Sequence, residues 1–312
     1  MGARHPSGAG LLFFDLDDTI IQSGFHISSR VLDALSLAHS AGYVLSIASG
    51  RPLCSINKQL LDTGVMDYAV CANGAAVVRL SDRKDLRRKV MSREDALCCM
   101  DLLAQFDPAW NGFFDNKAFF EWKGTSYMLT GRVGAIARVR RYAPGSRGTL
   151  RRVVWLAKRG VRYVMRMATN RSHKQVPKLR PHVARAKRGV QKIGCTIASP
   201  ESCLKAQKVL MDDGRFEVVR MGATELEITA RGVTKGTGAA FLMETLGIDP
   251  ARTVAFGDGG NDLPLASAVG TFVAMENADS EVKAAADEVC PSVVDDGVAV
   301  WIRKRLLGLA DE

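Results

Sequence analysis

The sequence predicts an α/β protein built on a parallel sheet, with a smaller α+β domain inserted into it. Short apolar runs alternate with segments of helical periodicity near both ends of the chain, which is the pattern of β-α-β units. Between them the order changes to a helix, aromatic-rich strands, a basic stretch, and then strand, helix, strand, strand. Since 312 residues make about two domains of roughly 150 residues each, we place the core at 1–82 and 231–312 and the insert at 83–230.

The first half of the core is predicted from apolar runs separated by turn and cap signals. Pro52 stands where a helix favours proline, and Asn73-Gly74 is a turn signal. The predicted elements are a strand at Leu11–Leu16, a helix at Ser29–Ser40, a strand at Tyr43–Ala48, a helix from Pro52 to Gly64, a strand at Tyr68–Cys71, and Ala75–Leu80 after the turn.

The insert and the second half of the core follow from the same signals. In the insert we predict a helix at Ser92–Phe106, strands at Trp110–Phe114, Phe119–Trp122 and Lys192–Ala198, a helix after Pro200, and strands at Phe216–Met221 and Glu225–Thr229. The core then resumes with a helix from about Thr234, a strand at Thr253–Phe256, a helix after Asn261, a strand at Phe272–Ala274 and an amphipathic helix at Val298–Leu309.

The positive charge of the chain is concentrated in one segment. The formal net charge is +10, from 43 Lys and Arg against 33 Asp and Glu. The segment from Trp122 to Pro200 contains 20 Lys or Arg and no acidic residue, so the remainder carries 23 basic against 33 acidic residues. An apolar content of 47% excludes a fibrous or wholly disordered chain. The sequence therefore describes an acidic body with one strongly basic insert.

We expect a cytoplasmic protein with buried, reduced thiols. The seven cysteines are odd in number and form no C-x-x-C pair, which argues against a disulfide scaffold and a zinc site. The apolar run Leu11–Phe14 is too short for a signal peptide. No apolar stretch approaches the roughly 18 residues of a membrane span.

Two aspartates directly follow the first predicted strand. In the run FFDLDDT, Asp15 and Asp17 are two positions apart, and such residues project to the same side of an extended chain. Open α/β sheets bind ligands at the carboxyl ends of their strands. Close carboxylates repel, so a shared proton or a hard cation such as Mg²⁺ is needed. Taken alone, the motif fits a solvated turn equally well.

A second acidic motif, GDGGND, follows the predicted strand at Thr253–Phe256. It contributes Asp258 and Asp262, and its glycines allow the backbone to approach a ligand closely. It does not match the dinucleotide motif G-x-G-x-x-G, and GVTKGTG does not match a P-loop. Four carboxylates at two strand ends therefore predict a metal site.

Two further sites are suited to an anion. Ser49-Gly50-Arg51 follows the second strand and opens a helix, where it offers a hydroxyl and backbone N–H groups. Lys235 begins a helix in a Gly-flanked turn, where its ammonium could offset phosphoryl charge. Taken singly, a capping serine and a surface lysine are the commoner explanations.

In combination these motifs resemble those of the haloacid dehalogenase (HAD) superfamily of phosphotransferases. DLDDT, ASGR, the lysine of GVTKG and GDGGND stand in that family's order. The insert lies between the second and third motifs, like the type IIB cap of the Cof-like phosphatases, and CANGA and VAMENADSEVKAAAD also resemble that subfamily. The resemblance fades in the basic segment. It implies a Rossmann-like core with a cap that closes over the site and selects the substrate.

The resemblance also implies residue roles. Asp15 would be the nucleophile that forms an aspartyl-phosphate, and Asp17 would protonate the leaving alcohol and then activate water. Mg²⁺ would bind the Asp15 carboxylate, the Asp17 backbone carbonyl and Asp258. Asp262 would be a further ligand of the ion or would contact one of its ligands. The phosphoryl oxygens would be held by Ser49 and Lys235 and oriented by Asn261, with Thr19, Gly50, Arg51, Asn73 and Gly74 in support.

The basic segment leaves two functions open. Apolar residues recur at helical spacing from Leu150 to Ala168 with arginines mostly opposite, which predicts a basic amphipathic helix. This helix fits a cap helix with a solvated face, attraction of anionic substrates, or binding to nucleic acid or anionic membrane.

Two functions of the protein therefore remain open. The first function is a Mg²⁺-dependent phosphatase of a small phosphorylated metabolite, namely a sugar phosphate, a nucleotide or a cofactor phosphate. The alternative is a polyanion-binding protein that uses residues 122–200 on a HAD scaffold. The sequence does not indicate the oligomeric state.

Overall fold

The computed structural model describes residues 10–22, 26–124 and 172–309. The chain divides into a first unit, Met1–Lys89 with Val233–Glu312, and a second unit, Val90–Gly232. The insert that we predicted at 83–230 thus begins later, at Val90, because Lys84–Arg88 forms a strand that pairs with Ala76–Arg79 in the first unit.

The described residues form fourteen strands and nine α-helices. In chain order the strands are β1 (Leu11–Phe14), β2 (Val44–Ala48), β3 (Tyr68–Cys71), β4 (Ala76–Arg79), β5 (Lys84–Arg88), β6 (Ala109–Phe114), β7 (Lys117–Glu121), β8 (His173–Val176), β9 (Lys192–Thr196), β10 (Phe216–Met221), β11 (Glu225–Ala230), β12 (Thr253–Gly257), β13 (Thr271–Met275) and β14 (Glu288–Cys290). The helices are α1 (Ser29–Ser40), α2 (Lys58–Asp62), α3 (Arg93–Leu103), α4 (Arg180–Val183), α5 (Pro200–Asp213), α6 (Lys235–Leu246), α7 (Leu263–Ala266), α8 (Ser280–Ala284) and α9 (Gly297–Trp301).

The first unit contains an eight-stranded sheet in the order β14-β13-β12-β1-β2-β3-β4-β5. The six strands from β14 to β3 are parallel, whereas β4 and β5 are added antiparallel. The predicted parallel sheet is confirmed for those six strands. Every residue of β1 and β2 is buried, as expected of central strands covered on both faces. Because β1 lies between β12 and β2, the segments that follow these three strands emerge at one edge of the sheet.

The second unit contains a six-stranded sheet in the order β10-β11-β9-β6-β7-β8. Its strands pair antiparallel except for β7 and β8. Helices α3 and α5 supply Leu103 and Leu210 to a core that also contains Phe114, Ile193 and Ile228 from the strands. The predicted α+β character of the insert is confirmed for its described residues.

Several predicted boundaries are wrong for local reasons. The strand predicted at Leu11–Leu16 ends at Phe14, because the Leu16 carbonyl accepts turn hydrogen bonds from the N–H groups of Ile20 and Ile21. The helix predicted from Pro52 to Gly64 is interrupted: Asn57 is extended, and its side chain caps the separate helix α2.

The last predicted helix, Val298–Leu309, is also divided. It begins as α9 and continues as a π-helix at Ile302–Leu306. Strands β5, β8 and β14 were not predicted, and the sequence of β5, KDLRR, shows why. An edge strand of charged, partly exposed residues lacks the apolar signal on which the prediction depends.

The expectation of buried thiols is confirmed at five of the seven cysteines. Cys54 and Cys98 are the two that are partly exposed. Within the described ranges, no helix combines the length and the apolar character that crossing a bilayer requires.

Candidate active site

Two neighbouring parallel strands carry the acidic motifs to the same place. β1 and β12 pair in register, with Phe14 opposite Phe256. The N–H of Asp15 then donates to the Phe256 carbonyl at 3.0 Å, so the pairing continues to the first aspartate. Asp258 follows β12 in the same way. The sheet therefore brings together residues that are more than 240 positions apart in the sequence.

Three buried carboxylates surround one buried ammonium at this edge. Asp15, Asp258 and Asp262 each offer an oxygen within 4.8 Å of the others. The Lys235 Nζ donates to Asp15 Oδ1 at 2.6 Å and to Asp262 Oδ1 at 2.7 Å. The Lys235 side chain is wholly buried, so the interpretation of Lys235 as an ordinary surface lysine is excluded.

The electrostatics of this cluster favour an additional cation. Burial raises the pKa of Asp15 to about 8, with Lys235 opposing the shift and Asp262 and Asp17 adding to it. Burial, followed by the charge of Asp15, raises the pKa of Asp258 well above its usual value. Burial alone would lower the pKa of Lys235, but the carboxylates of Asp15 and Asp262 raise it overall. One ammonium does not balance three buried carboxylates, and a divalent cation would favour their ionised forms.

The donor chemistry of the cluster fits Mg²⁺. All three side chains offer carboxylate oxygens, which are the ligands of a hard cation, and burying them together is costly unless they have positive partners. Asp262 is also oriented by the backbone, since its Oδ2 accepts from the N–H groups of Asp258 and Gly259, both at 3.1 Å. A Cβ at Gly257 would lie within 3.0 Å of the Asp262 carboxylate, so the first glycine of GDGGND makes room for it.

Asp17 has a different environment from Asp15. Its side chain is 57% exposed, and it accepts hydrogen bonds from Arg51, from Nε at 2.7 Å and also from Nη2. The strand ends at Phe14, so the extended geometry from which we expected Asp15 and Asp17 to project together does not apply. The Asp17 carboxylate lies outside the buried cluster, and Arg51, which we had predicted beside phosphate, contacts Asp17 instead.

The other predicted residues form a second group next to the cluster. Ser49 is buried at the end of β2, where its Oγ accepts from the N–H of Arg51 at 3.2 Å. Its carbonyl accepts from the N–H of Asn73 at 3.1 Å, and Asn261 Nδ2 donates to Asn73 Oδ1 at 3.3 Å. Thr19 donates to Asp258 Oδ1 at 3.3 Å. The ends of β2, β3 and β12 are thus joined by one backbone and one side-chain hydrogen bond between residues of separate motifs.

Glycine and a helix cap position Lys235. Gly74 has a φ of +93°, and a Cβ there would collide with the carbonyl oxygen of Thr234. Thr234 caps α6 in a reciprocal arrangement with Thr237, and Lys235 is the first residue of that helix. Gly74 of the CANGA motif therefore contributes by allowing the start of α6 to approach, a role that we had not predicted.

Sequence reasoning also missed Asn277. Its Nδ2 donates to the carbonyl of Asp18 at 2.8 Å, and its Oδ1 accepts from the N–H of Val293 at 2.8 Å. The available signal was the motif VAMENADSEVKAAAD, in which no residue had been given a role.

The basic segment is only partly described. The amphipathic helix predicted from Leu150 to Ala168 lies in 125–171, outside the described residues. Among the described bases, Lys192 is buried in the second unit and forms an ion pair with Glu227, so it is not part of a solvated basic face.

Comparison with known proteins gives a family and several relatives. A family model described as haloacid dehalogenase-like hydrolase matches residues 12–302. Pyridoxal phosphate phosphatase YbhA of Escherichia coli is 25% identical over 303 residues, which cover 95% of this chain and 98% of that protein. The phosphoglycolate phosphatase of Methanopyrus kandleri is 45% identical over 93 residues, covering 30% of this chain and 40% of that protein.

A solved structure shares the fold over almost the whole chain. The HAD subclass IIB sugar phosphatase BT4131 superposes with a TM-score of 0.71 at 22% identity, covering 97% of this chain and all of that one. At this level of identity, the likeness concerns the fold.

Proposed function

The chain belongs to the haloacid dehalogenase-like hydrolases, and from that premise we propose that it is a Mg²⁺-dependent phosphatase that hydrolyses a small phosphorylated metabolite through an aspartyl-phosphate at Asp15. The observation that carries the proposal is the buried cluster of Asp15, Asp258 and Asp262 around Lys235. A carboxylate nucleophile, a cation site and an ammonium in one place are what phosphoryl transfer needs, since catalysis there consists mostly of positioning and charge neutralisation.

Asp15 is suited to attack phosphorus. Lys235 holds Asp15 Oδ1, and we assign the attack to Oδ2. The new bond joins Oδ2 to phosphorus as the bond from phosphorus to the ester oxygen breaks. A water molecule then attacks the phosphoryl group, which releases inorganic phosphate and restores the Asp15 carboxylate. Dividing the displacement into these two steps lowers the barrier of each.

Asp17 is suited to move the protons of both steps. It is exposed where Asp15 is buried, so the two carboxyl groups lie in different environments. Asp15 must be ionised to attack, and a cation bound at the buried cluster would offset the burial that raises its pKa. In the first step Asp17 gives its proton to the leaving oxygen, and in the second step it takes a proton from the attacking water. Arg51 fixes the direction of the Asp17 carboxylate through two hydrogen bonds, and we assign it this positioning role.

The cation and the phosphoryl group would be held by neighbouring groups. Asp15, Asp258 and the backbone carbonyl of Asp17 would bind Mg²⁺, and Asp262 would be a further ligand or would orient Asp258. When bound, the ion would neutralise charge on the carboxylates and on the phosphoryl oxygens. The Ser49 hydroxyl, the Lys235 ammonium and the Asn261 amide would hold those oxygens, with the Gly50 N–H in support. The Asn73 N–H already donates to the Ser49 carbonyl, so Asn73 would act by holding Ser49 and Asn261 in place.

The relatives support a small phosphate ester as the substrate. The E. coli relative is named for pyridoxal phosphate and the M. kandleri relative for phosphoglycolate, and both names describe small phosphomonoesters. We propose that the second unit is the cap that selects among such esters.

Exchange of the nucleophile tests the proposal. We expect Asp15→Asn to lower kcat for p-nitrophenyl phosphate in Mg²⁺ by about a thousandfold or more, because an amide cannot form the phosphoenzyme. Asp33→Asn is a matched control, since it makes the same exchange on the exposed face of α1. EDTA should abolish the wild-type activity and Mg²⁺ restore it. Turnover by Asp15→Asn at the wild-type rate would overturn the proposal.

A further inference from the structure

The segment that follows β13 contacts both loops of the candidate active site. The N–H of Asp279 donates to the carbonyl of Asp258 at 3.1 Å. Two residues earlier, Asn277 Nδ2 donates to the carbonyl of Asp18 at 2.8 Å. One short segment, which forms part of the otherwise unexplained motif VAMENADSEVKAAAD, therefore touches the loop that carries Asp17 and the loop that carries Asp258.

The residue that Asn277 contacts has an unusual backbone. Asp18 has a φ of +63°, in the left-handed region that costs a non-glycine residue of order 1 kcal/mol. Its N–H donates to the Ile21 carbonyl at 3.1 Å, which closes a tight turn directly after Asp17. Such a conformation persists when surrounding contacts hold it, and the Asn277 amide is one such contact.

The opposite side of Asn277 is anchored to a buried neighbour. Its Oδ1 accepts from the N–H of Val293 at 2.8 Å, and the Val293 carbonyl accepts from Gln22 Nε2 at 3.0 Å. Asp18 and Gln22, at the two ends of the turn after Asp17, are thus both tied to Val293, one through Asn277 and the other directly. Asn277 uses the donor and the acceptor of one amide for this, which neither aspartate nor alanine can do.

From this geometry we infer that Asn277 is a positioning residue for Asp17, holding the Asp18 turn so that the Asp17 carboxyl delivers its proton to the leaving oxygen. The inference rests on the proposed function, because it takes the acid role of Asp17 from there. Asn277 touches neither the reacting atoms nor the buried cluster, and it acts through the backbone of Asp18.

Proton delivery can be measured separately from general damage to the site. A p-nitrophenolate leaving group departs readily without a proton, whereas phenolate needs one much more. The ratio of kcat/KM for p-nitrophenyl phosphate to kcat/KM for phenyl phosphate therefore rises when proton donation fails. Both esters have the same dianionic group and nearly the same size, so loss of phosphate binding or of folded protein lowers both values equally.

We expect Asn277→Ala to raise this ratio about tenfold, because displacing a catalytic group by about 1 Å costs up to about a hundredfold. Asn277→Asp is the second variant: it keeps an acceptor for the Val293 N–H but loses the donor to Asp18, so it should raise the ratio similarly. Ser28→Ala is the control. It removes a 2.7 Å hydrogen bond to Asp296, near Val293, without touching Asp18, so it should lower the thermal midpoint and leave the ratio unchanged.

The outcomes separate this inference from the proposed function. Asp17→Asn should raise the ratio at least as much as Asn277→Ala. If Asp17→Asn raises it and both Asn277 variants leave it at the wild-type value, the positioning role is wrong and the phosphatase proposal stands. If the wild type releases no phosphate, or Asp15→Asn remains active, the proposed function itself fails.

Discussion

At the scale of single residues, burial separates chemically identical groups. The side chains of Asp15 and Asp17 are 7% and 57% exposed, although they are two positions apart. Asp15 is in contact with a buried ammonium, whereas the exposed Asp17 is paired with the largely buried guanidinium of Arg51. The difference arises because the chain leaves β1 after Phe14 and turns at Leu16, so one carboxylate points inward and the other does not.

The raised pKa of Asp15 predicts how the stability of the metal-free protein depends on pH. Its folded-state pKa is about 8, against an ordinary value of 3.8. Between these values the folded state binds more protons than the unfolded state, so this group makes the free energy of unfolding fall as the pH rises. Asp258 shifts in the same direction and acts with the same sign.

Urea unfolding in EDTA at a series of pH values between about 5 and 8 tests this. We expect the free energy of unfolding of the wild type to fall more steeply with pH than that of Asp15→Asn, which lacks the titrating group. Saturating Mg²⁺ should reduce the difference, because the cation favours the ionised carboxylate. Identical slopes for the two proteins in EDTA would contradict the prediction.

At the scale of elements, the site depends on how closely α6 approaches the turn after β3. Gly74 has a positive φ and no room for a Cβ, because the Thr234 carbonyl occupies that space. Gly236 and Gly238, in the first turn of α6, similarly approach the Pro264 carbonyl and Val70. The glycines of CANGA and GVTKGTG thus bring the first residue of α6, Lys235, within reach of Asp15.

Gly74→Ala should damage both stability and activity. We expect it to lower the free energy of unfolding by about 2 kcal/mol or more, from backbone strain together with displacement of α6. The shift of Lys235 should reduce kcat for p-nitrophenyl phosphate by about tenfold.

Gly64→Ala is the matched control, because Gly64 also has a positive φ, +71°, but has open space around its Cβ position. It should cost only about 1 kcal/mol and leave kcat unchanged. Equal effects of the two variants on kcat and stability would mean that the close approach of Thr234 is unimportant.

At the scale of the whole molecule, charge is separated along the chain. The segment 122–200 carries 20 basic residues and no acidic one, while the rest is acidic. A dense basic segment binds polyanions with a strong dependence on salt. The same charge would also attract small anionic substrates, so affinity for a polyanion does not by itself distinguish the two functions.

We expect the protein to be retained on heparin at low salt and released as the salt concentration rises. Exchange of Arg151, Arg152, Lys158 and Arg159 for glutamine should lower the salt concentration of elution. The same exchange at Lys58, Arg83, Lys84 and Lys304, which are exposed bases of the first unit, should lower it less. Equal shifts would show that the charge of the segment has no special role. Phosphate release by the retained protein would support the phosphatase over a protein that only binds polyanions.

Much of the fold was predictable because its central strands are apolar on both faces. β3 has the predicted bounds, and α1 agrees from Ser29 to Ser40. β10 also has its predicted bounds although it is an edge strand, because its sequence FEVVRM still contains an apolar run. Strands that lie at sheet edges, such as β5, escaped prediction because their residues are charged and partly exposed. The break at Asn57 in the predicted helix from Pro52 to Gly64 was not predicted, because a side-chain cap within a helical pattern does not change the periodicity of the apolar residues.

The sequence by itself determined the family, the parallel sheet and the set of acidic and basic residues at the candidate site, because motif order and buried strands are local features of the chain. Only the tertiary structure decided which of those residues lie together. Asp15, Asp258, Asp262 and Lys235 form one buried cluster, whereas Asp17 lies outside this cluster and pairs with Arg51. It also decided the contact of Asn277 with Asp18. The physical reason is that burial and long-range hydrogen bonds depend on which strand ends meet, and the order of the strands in the sheet differs from their order in the sequence.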